Sequence, residues 1–245
     1  MPHDYRKGRT LDIYGLAGSM RRRLLRAVLV VVLLGLAVPA ALFVRVKWFP
    51  PRFDVTSIAV AHEYGDPALL ARAWSLPVAR AYAHRVDFQP NGSICGPTSL
   101  ANVFRSLGEA ATTPDAVLEG TGKCWGGMCW GGLSLDELAT IVREKTKRTV
   151  TVLRGLTLTE FRAHLARAND PTRRYVVNFH RGLLFGKGVG HHSPIAAYLP
   201  DRDLVLVLDV NSSFGPWLVA AERLYDAVDR VDTSSGKKRG LLLIE

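Results

Sequence analysis

The sequence predicts an α+β fold set behind an apolar N-terminal helix, and three observations carry that expectation. Residues 27–44 form an uncharged apolar run after an arginine-rich flank. Between residues 95 and 167 the apolar positions recur with helical spacing, and each run has a recognisable start or stop. From Tyr175 onward the chain turns to β-rich runs separated by Gly-rich or Pro-Asp turns. Helices first and an antiparallel sheet second is the arrangement of a segregated α+β domain.

The N-terminal part is read from charge and length. The chain has 245 residues, 48% of them hydrophobic, enough for one sizeable core, and a formal charge of +10. Ten cationic residues fall within the first 52, from Arg6 to Arg52, opposed only by Asp4 and Asp12. The basic balance is therefore membrane-flanking charge, and the rest of the chain has no basic stripe interleaved with aromatics that would suit a nucleic acid. Eighteen helical residues cover about 27 Å, which crosses a hydrocarbon layer of roughly 30 Å when Val46, Trp48 and Phe49 sit at its edge. More cations precede the span than follow it, so the N-terminus is expected in the cytoplasm and the remainder outside, anchored to an inner membrane in the periplasm or an equivalent extracytoplasmic space. Val38-Pro39-Ala40 also suits a signal peptidase. An uncleaved anchor is preferred, giving a basic N-terminus at 1–26, a span at 27–47, a connector at 48–85 and a catalytic domain at 86–245.

Prolines 50, 51, 67, 77 and 90 break up the connector, which leaves room for one short helix around Ala68–Trp74. Leu100, Val103, Phe104 and Leu107 then repeat at i, i+3, i+4 and i+7, and Gly108 ends a helix that begins at Cys95. Ser134 with Glu137, and Thr157 with Glu160, are capping-box pairs that open helices at Leu135–Lys145 and Leu158–Arg167. Strands are expected at Tyr175–His180, Ser193–Leu199, Asp203–Val210 and Gly240–Ile244, with a helix at Leu218–Val228 between the last two.

Cys95 is the residue most suited to chemistry. A thiol at a helix start faces unpaired backbone N–H groups and the positive end of the helix dipole, both of which favour the thiolate. Gly96 permits a sharp approach and Pro97 suits a first turn. Cys124 and Cys129 lie in a Gly- and Trp-rich loop that can close a disulfide in an oxidising compartment, which leaves Cys95 unpaired. Those two cysteines have no histidine or second pair nearby and make a poor zinc site. Gln89, six residues upstream of Cys95, can donate its amide to an oxyanion, and this spacing is that of papain-like enzymes. The base must come from far along the chain. His191 begins one predicted strand and Asp209 ends the next, so an antiparallel pair would set the carboxylate beside the imidazole. Adjacent strand residues point to opposite faces, so of His191 and His192 one imidazole is expected to face the site and the other to face away.

With these motifs in order, the sequence resembles the phytochelatin synthases, a family with the papain-like cysteine-protease fold. The resemblance covers residues 89–245 and is strongest at 178–182, 190–195, 208–210 and 232–240. It implies that Cys95 is the nucleophile, His191 the base, Asp209 the orienting carboxylate and Gln89 the oxyanion donor. It implies further that Arg181, Asp232 and Arg239 hold the charged ends of a γ-glutamylcysteinyl group. The implied activity is cleavage of the Cys–Gly bond of glutathione, or of a related thiol peptide, through a γ-glutamylcysteinyl thioester. No cofactor is required, and divalent heavy-metal thiolates enter only as part of the substrate. Two departures stand out. The stretch after Asp209 is short and carries Ser212 where members often have Arg. The sequence ends at Glu245 without the cysteine-rich C-terminal region of the eukaryotic enzymes, so hydrolysis is expected ahead of peptide synthesis. Two other readings fit the residues: a papain-like peptidase of the double-glycine leader type, with Gln, Cys, His and Asp in the same order, and a non-enzymatic membrane-anchored thiol or metal-binding module.

Overall fold

A computed structural model describes residues 13–49, 52–55 and 62–245. The chain divides into two compact units, Met1–Val46 and Lys47–Glu245. The described part of the first is helical, within α1 (Ile13–Trp48). Its segment Met20–Trp48 is long and apolar enough to cross a membrane, with a mean hydropathy of 2.9 and no residue of the window buried. The helix takes in Arg21, Arg22, Arg23 and Arg26 as well as the apolar run, so it is longer than the expected span. Pro50 and Pro51, expected to end it, lie outside the described residues.

In the second unit the connector is more helical than expected: α2 (His62–Gly65), α3 (Pro67–Trp74) and α4 (Pro77–Ala81) follow one another. Prolines that look like breaks instead stand at the first turns of α3 and α4, where a missing N–H costs nothing. Next come α5 (Cys95–Leu107), closed by Gly108 at φ 73°, then α6 (Pro114–Leu118) and α7 (Leu135–Lys145). Both expected capping boxes are present, on α7 and on α8 (Leu158–Ala166).

The sheet contains β1 (Val150–Arg154), β2 (Arg174–His180), β3 (Gly190–Leu199), β4 (Leu204–Leu208), β5 (Pro216–Ala220) and a last strand, β8 (Gly240–Ile244). Their order is β1-β8-β2-β3-β4-β5, antiparallel throughout. A short helix, α9 (Arg181–Phe185), follows β2; α10 (Ala221–Val228) and the small hairpin β6 (Val231–Asp232) and β7 (Lys237–Lys238) precede β8. The helix expected at Leu218–Val228 is thus a strand in its first part, because Trp217, Leu218 and Val219 pair with β4 in a fully buried ladder. Helices cover both faces of the sheet. Leu100, Val103 and Phe104 of α5 and Leu138 and Ile141 of α7 pack on Val176, Leu242 and Ile244. On the other face Phe161 of α8 and Leu224 and Ala227 of α10 pack on Val177, Phe179, Leu241 and Trp217.

Register fixes the position of the site. Asn178 stands opposite His192 and Phe179 opposite His191, while a β-bulge between Ile195 and Ala197 shifts the pairing of β3 with β4. Gly240 holds β8 between its neighbours: a Cβ there would lie 2.0 Å from the carbonyl oxygen of Leu153. The backbone of a paired strand cannot give way cheaply, so Gly240→Ala is expected to cost about 3 kcal/mol and lower the melting temperature by about 6–12 °C. Thermal unfolding of the detergent-solubilised chain checks this, and an unchanged midpoint would contradict the packing.

Candidate active site

Cys95 opens α5 with its thiol buried, and it is the free cysteine, since Cys124 and Cys129 are joined in a disulfide. Ile94 caps the helix without a side-chain hydrogen bond, so the first N–H groups are not masked by a capping oxygen. A cleft of about 170 Å³ lies against the sulfur, bounded by Gly131 and Gly132 of the disulfide loop, by Asn178 and His192 of the sheet, and by Asp232 and Arg239. The loop is tied to the turn before α5: Asn91 Nδ2 donates to the Gly127 carbonyl at 3.0 Å and the Cys129 N–H donates to Ser93 Oγ at 3.1 Å.

Both imidazoles bear on the sulfur, which departs from the expectation that one of them would face away. His192 lies on the sheet face that carries α5, and its Nδ1 is 3.8 Å from Cys95 Sγ. His191 lies on the other face, its ring edge-on to Phe179, and its Nε2 is 3.1 Å from Asp209 Oδ1. Burial pushes the Cys95 thiol up, but the charge of His191 and hydrogen bonds with His191 and His192 outweigh that and leave it well below the ordinary thiol range. Alkylation by iodoacetamide is accordingly expected to hold its rate to lower pH than an ordinary thiol of about pKa 8.5, which loses tenfold per pH unit below that value. A rate that falls in that ordinary way would contradict the site's electrostatics.

Asp209 is wholly buried just beyond β4. Burial raises its carboxyl, but His191 and Arg181 more than offset this and hold it at about 2. Arg181 donates from Nε to Asp209 Oδ2 at 2.9 Å and from Nη2 to Oδ1, and Nη2 also touches His191 Nε2. Its guanidinium stacks 4.2 Å over the ring of Phe214. Arg181, expected at a substrate carboxylate, therefore faces away from the cleft and holds the residue that holds His191. Its place at the start of α9, directly after β2, aims it at the end of β4 instead.

Gln89 also departs from its expected pose. Its backbone N–H donates to the Val210 carbonyl at 2.7 Å, which ties it to the Asp209 segment. Its side-chain Nε2 donates to the Asn91 carbonyl at 2.8 Å, leaving Oε1 buried and without a partner. The Pro90–Gly92 turn bends tightly enough for its own carbonyl to capture the amide.

Asp232 and Arg239 come together on the cleft wall, with Nη2 donating to Asp232 Oδ1 at 3.2 Å. Arg239 Nη1 donates to Asn178 Oδ1 at 2.7 Å, and its Nε is buried without a partner. Gly190 lets this arginine cross β3, since a Cβ there would meet Nη1 at 2.5 Å. Asn178 and His192 carry polar contacts that sequence reasoning did not assign. The β2–β3 register pairs them, and nothing local in the sequence reports that register. Among the described residues no three His, Cys, Asp or Glu side chains converge in a way that could hold a metal ion.

Comparison with known proteins adds to this geometry. The family model described as phytochelatin synthase matches residues 58–241. A "Glutathione gamma-glutamylcysteinyltransferase 2" of Arabidopsis thaliana is 36% identical over 90 residues, 36% of this chain and 20% of that protein. A "Glutathione gamma-glutamylcysteinyltransferase" of Schizosaccharomyces pombe is 26% identical over 177 residues, 66% of this chain and 42% of its own length. The chain thus spans about a fifth of the plant relative and less than half of the yeast one. Among solved structures it is similar to the peptidase domain of Streptococcus ComA, with 15% identity and a TM-score of 0.46 over 65% of this chain and 96% of that one. A putative C39-like peptidase from Bacillus anthracis gives 12% identity and a TM-score of 0.48 over 67% and 95%.

Proposed function

We propose a function from one premise: the chain belongs to the phytochelatin synthase family. It is a cysteine acyltransferase or peptidase that cleaves the Cys–Gly bond of glutathione or a related thiol peptide. The observation that carries this reading is a buried free thiol at a helix start, with His192 Nδ1 3.8 Å from its sulfur, beside a small polar cleft.

In this mechanism the Cys95 thiolate attacks the Cys–Gly carbonyl carbon, and the carbonyl oxygen takes up the electron pair. The Cys95 backbone N–H faces that oxygen, joined by the Gln89 amide once it turns from the Asn91 carbonyl. His191, steadied by Asp209, gives a proton to the glycine nitrogen as the C–N bond breaks. A γ-glutamylcysteinyl thioester and free glycine result. Water, or the amine of a second thiol peptide, then attacks the thioester while His191 takes its proton, and Cys95 leaves as thiolate. Asp232 and Arg239 carry the charges that would pair with the ammonium and carboxylate of the γ-glutamyl end. Arg181 serves Asp209.

The catalytic unit is placed outside the cytoplasm, tethered by α1. The arginine flank before the span and a closed disulfide support that placement. Protease added to spheroplasts is expected to digest the catalytic unit; full protection would reverse the orientation.

Incubating the detergent-solubilised chain with glutathione tests the reaction. Glycine should appear together with γ-glutamylcysteine if water is the acceptor, or with a lengthened peptide if a second glutathione is. No glycine release would reject the substrate.

A further inference from the structure

We infer that His192 is a fixed neutral N–H donor to the Cys95 thiolate, locked in one tautomer by Asn178 and Arg239, so that the two neighbouring imidazoles divide the work. The inference builds on the proposed function, with His191 moving protons and His192 holding the sulfur's charge.

The argument follows donors and acceptors along one buried chain. An arginine has only donors, and Arg239 Nη1 lies 2.7 Å from Asn178 Oδ1. The Asn178 amide is therefore oriented, with its oxygen toward Arg239 and its NH₂ toward His192. That NH₂ is 2.5 Å from His192 Nε2, so Nε2 must accept and carries no proton. The single ring proton of a neutral imidazole is then on Nδ1, and Nδ1 is the atom 3.8 Å from the sulfur. Protonating the ring would set an Nε2–H against the amide N–H. Asn178, His192 and Arg239 are each at least nine-tenths buried, so the conflict would fall among groups with little exposure to solvent. Asp232 fixes the other arm of Arg239 at 3.2 Å, and Ser99 Oγ donates to the His192 carbonyl at 2.9 Å, which pins the backbone against α5. The charged and titratable groups around the ring are thus His191, Cys95, Arg239 and Asp232. None of them presents an acceptor to Nδ1 except the sulfur.

The division has a chemical reason. A donor that cannot give up its proton stabilises the thiolate in every resting enzyme without competing with His191 for the proton bound for the leaving amine. His191 differs in having a carboxylate acceptor, Asp209 Oδ1 at 3.1 Å from its Nε2, to receive a second ring proton, although Arg181 Nη2 touches the same nitrogen.

The test reads the thiol itself and needs no substrate. In ¹⁵N-histidine-labelled protein His192 should show the Nδ1–H tautomer between pH 6 and 8. His192→Phe should raise the midpoint of Cys95 alkylation by about one to two pH units, the loss of one hydrogen bond to a charged group. His192→Asn places an amide N–H where Nδ1 stood and should keep most of the low midpoint, whereas His192→Gln extends past that position and should not. If the Phe variant fails to fold, the Asn and Gln pair still decides. An Nε2–H tautomer, or one midpoint shared by wild type, Asn and Gln variants, overturns the assignment. A chain that leaves glutathione intact yet shows these shifts would refute the substrate and leave this inference standing.

Discussion

Cys95→Ser is expected to lower glycine release from glutathione by about 10⁴-fold or more, the scale seen when a nucleophile is removed from a coupled set of catalytic groups. The substitution is nearly isosteric, so folding should survive, and the change is one of acidity. The site brings an ordinary thiol well below its usual range through His191 and His192. The same influences acting on an alcohol, whose proton is far more tightly held, leave no useful alkoxide. A discontinuous glycine assay on wild type and variant at equal concentration checks this. Equal release from both would remove Cys95 from the mechanism, and release lost together with the cooperative melting transition would make the effect structural.

Asp209→Asn is expected to be nearly as severe, with turnover reduced by about 10³–10⁴-fold, because an amide beside His191 Nε2 no longer favours the imidazolium that forms during proton transfer. It should also destabilise the fold by about 3–5 kcal/mol, since Arg181 is left with its charge buried and uncompensated. The two effects separate in a second variant. Adding Arg181→Met removes the orphan cation, so the double variant should recover much of the melting temperature and none of the activity. Recovery of turnover would mean that Asp209 serves only the ion pair. The pH dependence follows in sign. The Asp209 carboxyl sits at about 2 in the folded chain against about 3.9 unfolded, so its contribution is complete above about pH 4 and is lost as pH falls toward 2. Unfolding curves at pH 5 and pH 3 should show a larger loss in wild type than in Asp209→Asn, which keeps the acid-labile contribution of the other paired carboxylates.

What could be read from the sequence was what is encoded locally. The helices at Cys95–Leu107 and Leu135–Lys145 come with their own start and stop chemistry, and both are where the spacing put them. The β8 strand matches residue for residue because glycine and an unbroken apolar run bound it. The strand β1 had no such mark: four of its five residues are half-buried, on both faces, and only Thr151 is exposed. Trp217–Ala220 reads equally well as the first turn of a helix, and only the β4 ladder makes it a strand. At the site, the ends of β3 and β4 were foreseeable as neighbours, which put His191 and Asp209 together. Which face α5 covers was not, because it depends on how a helix packs after the sheet has formed, and that choice brought His192 to the sulfur. Arg181 shows the same limit. Its charge suits a carboxylate of any origin, and the buried one of Asp209 is nearer.

The bulge in β3 bends the strand next to the centre it serves. Upstream of it β3 pairs with β2, which places both imidazoles, and Ile195 also faces Val207 of β4; downstream, residues 197–199 pair with β4 alone. Removing Ala196 would leave Ile195–Val207 and Ala197–Leu206 as consecutive steps of one regular ladder, without the local bend and added twist that a bulge gives. A carboxylate and a ring 3.1 Å apart depend on the direction in which that strand runs. The extra residue thus tunes the aim of the proton carrier from a point well away from it.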